Sequence, residues 1–312
     1  MPRNTVVPAQ LRSTALSATL MRRASAPVRQ LYSLAPLGSG VWADPELLET
    51  LDGEARFRMR AQALSREFPE AWLSCGTAAR LLHLPLNRLW QKDPDVHLSF
   101  PASTGRRIVR SGVKSHRAVI RPDDAVTLDD DVRVSSYPRL WLELAAQCST
   151  AQLVILGDYL VRVPYPRYEG RRRALASLQD LREATASSSN LRGIRKAREA
   201  LGLVRVGADS PPETTLRLAM HSAGLPEPEL QVAGVDGDPR APRADLGYRR
   251  WKIAIQYEGF THFSPEQAKA DHRRDNFFLS RGWIVLRFSD ADYRDGFLGA
   301  VGVIRQAIES RS

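Results

Sequence analysis

The stretch IAIQYEGFTHF, residues 253–263, decides the fold prediction because it begins as a buried strand and then carries polar side chains. Alternate residues of a strand share a face, so Gln256 and Glu258 lie on one face while Ile255 and Tyr257 lie on the other. Two neighbouring oxygen-bearing side chains on an otherwise apolar strand indicate a ligand-binding edge of a sheet.

The sequence on either side of this stretch predicts one compact domain over residues 208–312. Ser210, followed by two prolines and Glu213, predicts the start of a helix with a capping box. Three strands follow, and then a helix over SPEQAKADHRRDNFFLSRG that ends at Gly282, a further strand and a closing helix. The predicted order is α-β-β-β-α-β-α.

This order brings acidic side chains toward one edge of the predicted sheet. Asp245 ends the preceding strand, and a hairpin returns it beside Gln256 and Glu258, while Glu213 lies on the first turn of the covering helix. Two carboxylates with an amide or carbonyl oxygen suit Mg²⁺, which polarises a phosphodiester and lowers the pKa of an attacking water. His262 is a candidate proton donor or acceptor near neutral pH.

The same residues also have a purely structural interpretation. Asp245 can end a strand, Glu213 can cap a helix and Glu258 can pair with an arginine. Spacing alone does not choose between these ordinary roles and a metal site.

Several ordered motifs extend through the same region. They are Ser210-Pro211-Pro212-Glu213-Thr214, Asp245, Gln256-Tyr257-Glu258-Gly259, His262, Asp271, Arg273-Arg274-Asp275 and GWIVLRF from Gly282. Together they resemble the C-terminal endonuclease-like domain related to the very-short-patch-repair (Vsr) nucleases, a branch of the restriction-endonuclease-like PD-(D/E)XK superfamily. The resemblance covers about residues 208–308.

This resemblance implies a DNA endonuclease that hydrolyses phosphodiester bonds with Mg²⁺ or Mn²⁺. It implies Asp245 and Glu258 as the metal ligands, Glu213 and Gln256 as groups that orient the metal and the water, and His262 as an aid to proton transfer. Whether the chain is an enzyme stays open at this stage.

The chain departs from the family pattern on the second metal-binding strand. Members usually have Glu-x-Asp-Gly there, so Gln256 removes one negative charge while Glu258 keeps the acid before the glycine. Ala244 precedes Asp245 where members commonly have proline, and no lysine lies two residues after Gln256. These differences concern metal affinity and turnover, and they leave the fold prediction unchanged.

The N-terminal sequence predicts a winged helix-turn-helix over residues 1–45. Short helices are expected from about Pro8 and Ser17, followed by two strands around a glycine turn in LYSLAPLGSGVWAD. The second helix would face a DNA groove with Arg22 and Arg23. The alternative is a small docking subdomain without DNA contact. Two further candidates for nucleic-acid contacts lie in the C-terminal domain, Arg274 and Arg287.

Residues 46–165 predict a mixed α/β body, and residues 166–207 predict a helical connector. The body has one long helix over ELLETLDGEARFRMRAQALSREF, a strand at VHLSF, a hairpin from RRIVRSG to KSHRAVI and a helix over YPRLWLELAAQCSTAQLVILGDYLVR. The region resembles the N-terminal part of AbiEi-like type IV antitoxin proteins, through LYSLAPLGSGVWAD, CGTAARLLHLPL and VSSYPRLWLELA. Three isolated histidines are interpreted as packing or surface residues, namely His83, His97 and His116.

Composition favours a polyanionic partner. The 312 residues include 45 Lys and Arg against 35 Asp and Glu, a net charge of +10, and the excess lies before Arg205. Cys75 and Cys148 are isolated, which argues against a disulfide framework or a spaced zinc motif and fits a reducing cytoplasm. No apolar run approaches the ~18 residues of a membrane helix, so we expect a cytoplasmic protein without a membrane partner.

The sequence thus predicts an α/β (α+β) DNA-binding protein with a Vsr-like, metal-dependent endonuclease domain. The alternative is a non-enzymatic, antitoxin-like transcriptional regulator whose nuclease domain has degenerated and which binds its promoter or a toxin partner. A third hypothesis is a nuclease subunit that needs a partner protein.

Overall fold

The protein has an α+β fold that divides into two compact units, Met1–Ala146 and Gln147–Ser312. The computed structural model describes residues 34–85, 92–128, 131–165, 169–235, 237–238, 241–259 and 265–312, with the backbone of Leu16–Ser17. In the last range, side chains are described for residue 269 and from residue 271 onward. Within this part of the chain, no helix has both the length and the apolar run that a bilayer crossing requires.

The first unit combines two sheets with four helices among its described residues. Its strands are β1 (Leu16–Ser17), β2 (Ala35–Gly38), β3 (Val41–Ala43), β4 (Trp72–Leu73), β5 (Val96–Pro101), β6 (Val113–Ala118), β7 (Ala125–Thr127) and β8 (Arg133–Ser135). Its helices are α1 (Pro45–Thr50), α2 (Gly53–Glu67), α3 (Cys75–Leu81) and α4 (Tyr137–Leu144).

The two strands predicted in LYSLAPLGSGVWAD are present as β2 and β3, which pair antiparallel around a glycine-containing turn. Strand β1 adds to the other side of β3, so at Ser17, where the sequence predicts a helix start, the backbone is a strand. The rest of the two predicted helices, with Arg22 and Arg23, lies outside the described residues.

The larger sheet of the first unit has the strand order β6-β5-β4-β8-β7. The predicted hairpin from RRIVRSG to KSHRAVI is reduced to one antiparallel bridge between Arg110 and Val113, because β6 pairs in parallel with β5 and residues 106–109 are not a strand. The local sequence favoured a hairpin since two β-prone segments flank a glycine, but β6 finds its partner earlier in the chain.

Two helices predicted as continuous are each divided in the structure. Asp52 breaks the first by capping α2, where its carboxylate accepts a hydrogen bond from the backbone N–H of Ala55. Ser149 and Gln152 form a capping box that starts a new helix after α4. In both places, a side chain that satisfies free N–H groups ends one helix and begins the next.

The second unit contains a four-stranded sheet with helices. Its helices are α5 (Thr150–Val161), α6 (Leu178–Ala186), α7 (Ile194–Leu203), α8 (Pro211–Ser222), α9 (Pro265–Leu279), α10 (Asp290–Arg294) and α11 (Leu298–Glu309). Its strands are β9 (Glu229–Ala233), β10 (Arg243–Tyr248), β11 (Ile253–Glu258) and β12 (Ile284–Ser289). Helix α5, which the sequence groups with residues 46–165, packs against α7 and α8 of this unit.

From α8 onward the observed order agrees with the predicted α-β-β-β-α-β-α, with the closing helix divided into α10 and α11. The sheet order is β12-β11-β10-β9, in which β11 and β12 are parallel and the other pairs are antiparallel. One apolar cluster joins the sheet to α8 and α11, and a second joins it to α9 through Phe278. The quoted strand, β11, is therefore central and covered on both faces.

Candidate functional site

Glu213 is fixed at the first turn of α8 by the capping residues that the sequence predicted. The Ser210 hydroxyl donates to Glu213 Oε1 at 2.7 Å, and the backbone N–H of Asp209 donates to Glu213 Oε2 at 2.9 Å. The side chain is buried, with 6% exposure. Both oxygens of the carboxyl group thus accept hydrogen bonds from its own helix start.

Asp245 lies on β10, where the ladder to β11 ends. The last paired residues are Leu246 and Ile255, and beyond them the Asp245 Oδ2 accepts a hydrogen bond from the backbone N–H of Tyr257 at 2.8 Å. This register places Asp245 across from Gln256 on the neighbouring strand. The strand edge predicted from the sequence therefore brings Asp245 and Gln256 together.

The two carboxyl groups on these elements hold protons more strongly than ordinary acids. Burial, followed by the charge of Asp245, raises the pKa of Glu213 to about 8. Burial raises the pKa of Asp245 to about 6, although the Tyr257 N–H and the charge of Arg274 act in the opposite direction. A site in which burial disfavours two ionised carboxylates favours a bound cation or proton.

Gln256 is completely buried, and half of its amide is unsatisfied among the described residues. Its Nε2 donates to the carbonyl of Arg243 at 3.4 Å, while its Oε1 has no described hydrogen-bond partner. Buried polar atoms are nearly always paired, so an amide oxygen in this position needs an explanation. A bound cation that the amide oxygen ligates would explain the missing hydrogen bond.

Glu258, the second predicted metal ligand, is engaged elsewhere. Arg287 of β12 forms ion pairs with both Glu258 and Asp275. Among the described side chains, three converging metal-ligand groups do not occur at Glu213, Asp245 and Glu258. The pairing of Glu258 with an arginine is the ordinary role that the sequence left open, and Arg287, predicted to contact nucleic acid, contacts two carboxylates in the structure.

The other candidates for charge contacts are placed as follows. Arg274 forms an ion pair with Asp271 at 2.9 Å, and its charge also acts on Asp245. Lys252, on the turn before β11, donates to the carbonyl of Arg281 at 3.2 Å. His262 lies outside the described residues.

Two residues that the sequence did not indicate, Asp209 and Tyr165, lie next to the carboxylates of this site. Asp209 precedes the helix cap, and its Oδ2 accepts a hydrogen bond from the Tyr165 hydroxyl at 2.8 Å. Burial raises the pKa of Asp209 and, with help from Asp209, raises that of Tyr165 to about 12. Asp209 adjoins the cap serine in sequence, so its position was accessible to prediction, whereas Tyr165 approaches from a distant segment.

Replacing Glu213 with glutamine should remove part of the pH dependence of stability. The folded pKa of Glu213 lies above the unfolded value, so the folded state binds more protons and loses stability as pH rises from about 4.5 to about 8. A difference of one in pKa corresponds to about 1.4 kcal/mol, so the rise in the pKa of Glu213 sets an upper limit of about 5 kcal/mol, and we expect the variant to lose at least about 2 kcal/mol less than wild type over this range. Denaturant unfolding at several pH values, with a chelator present, measures how the free energy of unfolding of each protein changes with pH.

The exposed Glu309 provides the control for this measurement, because Glu309→Gln changes the same functional group at the far end of α11. It should keep the pH slope of the wild-type protein. Equal slopes for Glu213→Gln and wild type would show that Glu213 has an ordinary pKa.

Comparison of the sequence with known proteins identifies two relatives but no matching family. No family model matches the chain. The uncharacterized proteins MT2308 and Rv2248 of Mycobacterium tuberculosis, from strains CDC 1551 / Oshkosh and ATCC 25618 / H37Rv, are each 31% identical to it over 138 residues. The match covers 40% of this chain and 50% of each relative, so the chain spans about half the length of the curated relatives it matches. Neither name states an activity.

Proposed function

We propose that the protein binds DNA and that its second unit is a Vsr-like endonuclease that hydrolyses phosphodiester bonds with Mg²⁺ or Mn²⁺. One observation carries the proposal. Glu213 is buried and Asp245 is half-buried, and the charge of Asp245 helps to raise the pKa of Glu213. Asp245 lies across from the buried Gln256, whose amide oxygen has no partner among the described residues. The Vsr-like motifs in the same elements support the assignment to nuclease chemistry.

The chemistry of these donors fits a hard divalent cation. Asp245 and Glu258 would hold it through carboxylate oxygens, and Glu213 and Gln256 would orient it and the attacking water. A cation bound there polarises the phosphodiester and lowers the pKa of water. Glu258 would have to exchange its ion pair with Arg287 for this role.

Side chains of the protein hold and transfer the protons at the proposed site. Without a cation, the raised pKa of Glu213 leaves a proton on its carboxyl group at neutral pH. Its two oxygens stay oriented by Ser210 and Asp209, so the carboxyl group is positioned for ligation as soon as that proton leaves. His262 is proposed as the group that assists proton transfer during hydrolysis.

A second function is favoured by the ion pairs of Arg287. These ion pairs engage the carboxylates of Glu258 and Asp275 at the same time. Gln256 also lacks the negative charge that the Vsr-like pattern has at this position. An antitoxin-like regulator that keeps the nuclease fold as a scaffold would have this arrangement. DNA, with a toxin or nuclease protein as a further partner, would then be bound and not cut.

The nuclease proposal predicts that Asp245→Ala strongly slows cleavage. Wild-type protein should cut plasmid or mismatched duplex DNA with Mg²⁺ or Mn²⁺, and the variant should be at least about 100-fold slower because a metal ligand contributes several kcal/mol. Gel analysis of the products measures the rate, with Glu309→Gln as the control that keeps wild-type activity. Absence of cutting, or cutting that Asp245→Ala leaves unchanged, would contradict the proposal.

Wild-type protein and Asp245→Ala also distinguish the regulator hypothesis from the enzyme hypothesis in a DNA-binding experiment. In chelator, a regulator should retard duplex DNA in a gel with an affinity that falls steeply as salt increases. Its affinity should be the same for wild type and Asp245→Ala, and adding Mg²⁺ should produce no cleavage.

A further inference from the structure

Three side chains of the first unit that the sequence treats as isolated converge in space. Cys75 begins α3 directly after β4, His97 lies on β5 and His116 lies on β6. One ligand atom from each lies within 4.8 Å of the other two. His97 and His116 are therefore not isolated from each other, whereas His83 lies apart and contacts Arg58 at 2.7 Å.

The sheet topology explains the convergence. Strands β5 and β6 are parallel, and their register pairs Ser99 with His116, so His97 and His116 are diagonal neighbours on one face. The backbone N–H of Ser74 donates to the carbonyl of His97, which brings the next residue, Cys75, to the same place. No sequence motif links the three residues, because each comes from a different element.

The spacing of the two imidazoles matches that of two ligands on one metal ion. His116 Nε2 is 3.1 Å from His97 Nδ1, and the rings stack with centroids 5.0 Å apart. Zinc binds histidine nitrogens at about 2.0–2.1 Å in tetrahedral geometry, which separates two nitrogens by about 3.3 Å. The observed separation differs from this by a few tenths of an ångström.

The outer nitrogen of His97 is held as it is in known metal centres. His97 Nε2 lies 3.2 Å from Asp93 Oδ2, and Asp93 is itself fixed by Lys114 and by the backbone N–H of Asp95. A carboxylate that accepts from the far nitrogen of a ligand histidine fixes its tautomer and ring orientation. This contact leaves His97 Nδ1 directed toward His116.

The backbone at Cys75 is a second, independent sign of a built site. Its φ is 49°, in the left-handed region that costs a residue with a Cβ roughly 1–2 kcal/mol. Strained residues of this kind concentrate at ligand clamps and active sites. Here the strained conformation directs a buried thiol toward the two histidines.

We propose that Cys75 Sγ, His97 Nδ1 and His116 Nε2 bind one zinc ion, with water in the fourth position. Thiolate and imidazole are the ligands that zinc prefers, and three protein ligands with one open position are typical of zinc sites that do chemistry. Glu143 lies beside the trio, where its Oε2 accepts from the Cys75 N–H and the Ser135 hydroxyl, while its Oε1 forms an ion pair with the buried Arg139 at 3.0 Å.

The protonation of the trio is compatible with this role. His116 Nε2 and His97 Nδ1 are 3.1 Å apart, a hydrogen-bond distance, so a metal ion would replace the proton that lies between these two nitrogens. Zinc binds cysteine as the thiolate, so it would also displace the thiol proton of Cys75 on binding.

Metal titration of the full-length chain tests the proposal. After treatment with a chelator, wild-type protein should take up one Zn²⁺ or Co²⁺ per chain, and Co²⁺ should give the near-ultraviolet charge-transfer band of a thiolate ligand. Cys75→Gly should lose that band, and it should fold because glycine adopts the observed φ without strain. His116→Asn should weaken binding at least about 100-fold, and Asp93→Asn by about 10–100-fold.

Cys148→Ser is the matched control, since Cys148 is also buried but belongs to the second unit. It should keep the metal and the band. Failure of the wild type to take up either ion would overturn the proposal, and so would binding that survives both Cys75→Gly and His116→Asn. Uptake that disappears in Asp245→Ala instead would assign the ion to the second unit and also overturn it.

Discussion

Replacing Asp158 with alanine is expected to lower the free energy of unfolding of the second unit by about 3–5 kcal/mol. Asp158 of α5 and Arg217 of α8 are each 1% exposed, and Arg217 Nη2 donates to Asp158 Oδ2 at 2.7 Å. Asp158 also accepts from the Thr214 hydroxyl and the backbone N–H of Arg205. Removing one partner of a buried ion pair leaves an uncompensated charge, which is strongly destabilising.

The remaining acid near Arg217 is a weak replacement. Glu227 Oε1 lies 3.5 Å from Arg217 Nη1, but its side chain is 40% exposed. Solvent screens such a pair, so it should recover little of the lost interaction. Denaturant unfolding measures the loss, and Glu199→Ala on the exposed face of α7 should change stability by less than about 0.5 kcal/mol.

A double replacement separates two quantities: the stability lost when one partner of the pair is removed, and the net contribution of the ion pair to stability. Burial raises the pKa of Asp158 in spite of Arg217, which indicates that desolvation exceeds the attraction between the two charges. Asp158→Leu combined with Arg217→Met should therefore be more stable than either single variant, since apolar residues often replace a buried pair without loss. A single Asp158→Ala variant that loses less than 1 kcal/mol would contradict this account.

The second unit was predictable where its signals are local. Ser210 and Glu213 mark the start of α8, Gly282 follows α9, and the alternation in residues 253–258 marks β11. Each signal acts within a few residues, because caps and strand alternation are properties of neighbouring positions. The order of elements from α8 onward follows from them.

Long-range pairings were not predictable in the same way. Segment 113–118 has the composition of a hairpin strand, but its parallel partner begins at Val96, and only the tertiary fold selects it. The ion pair of Glu258 depends on the parallel register that sets Arg287 beside Gln256. The convergence of Cys75 with two histidines needs three strands in one sheet, so single-sequence spacing carries no trace of it.

Gln256→Glu is the substitution that should change the proposed site most. Gln256 is fully buried opposite Asp245, and glutamate has nearly the same shape but adds the charge that the Vsr-like pattern has at this position. Without metal, a third acid beside Glu213 and Asp245 should lower stability by about 2–4 kcal/mol at pH 8. The loss should be much smaller at pH 5, where the new carboxyl group is protonated.

Mg²⁺ should reverse this loss and increase activity. A further carboxylate strengthens binding of a hard cation, so saturating Mg²⁺ should restore most of the stability at pH 8 and raise the rate of DNA cleavage at least about tenfold. Gln306→Glu on the exposed part of α11 makes the same chemical change away from the sheet and should alter neither quantity. The measurements are unfolding with and without Mg²⁺ and cleavage of duplex DNA.

The two readouts of Gln256→Glu distinguish the two proposed functions. Recovery of stability by Mg²⁺ together with faster cleavage would identify the missing charge as the factor that limits an enzyme. Recovery without cleavage would mean that the edge binds a cation while Arg287, by retaining Glu258, keeps the unit a scaffold. If Mg²⁺ leaves the stability of the variant unchanged, Asp245 and its neighbours do not form a cation site, and the nuclease proposal fails at its first step.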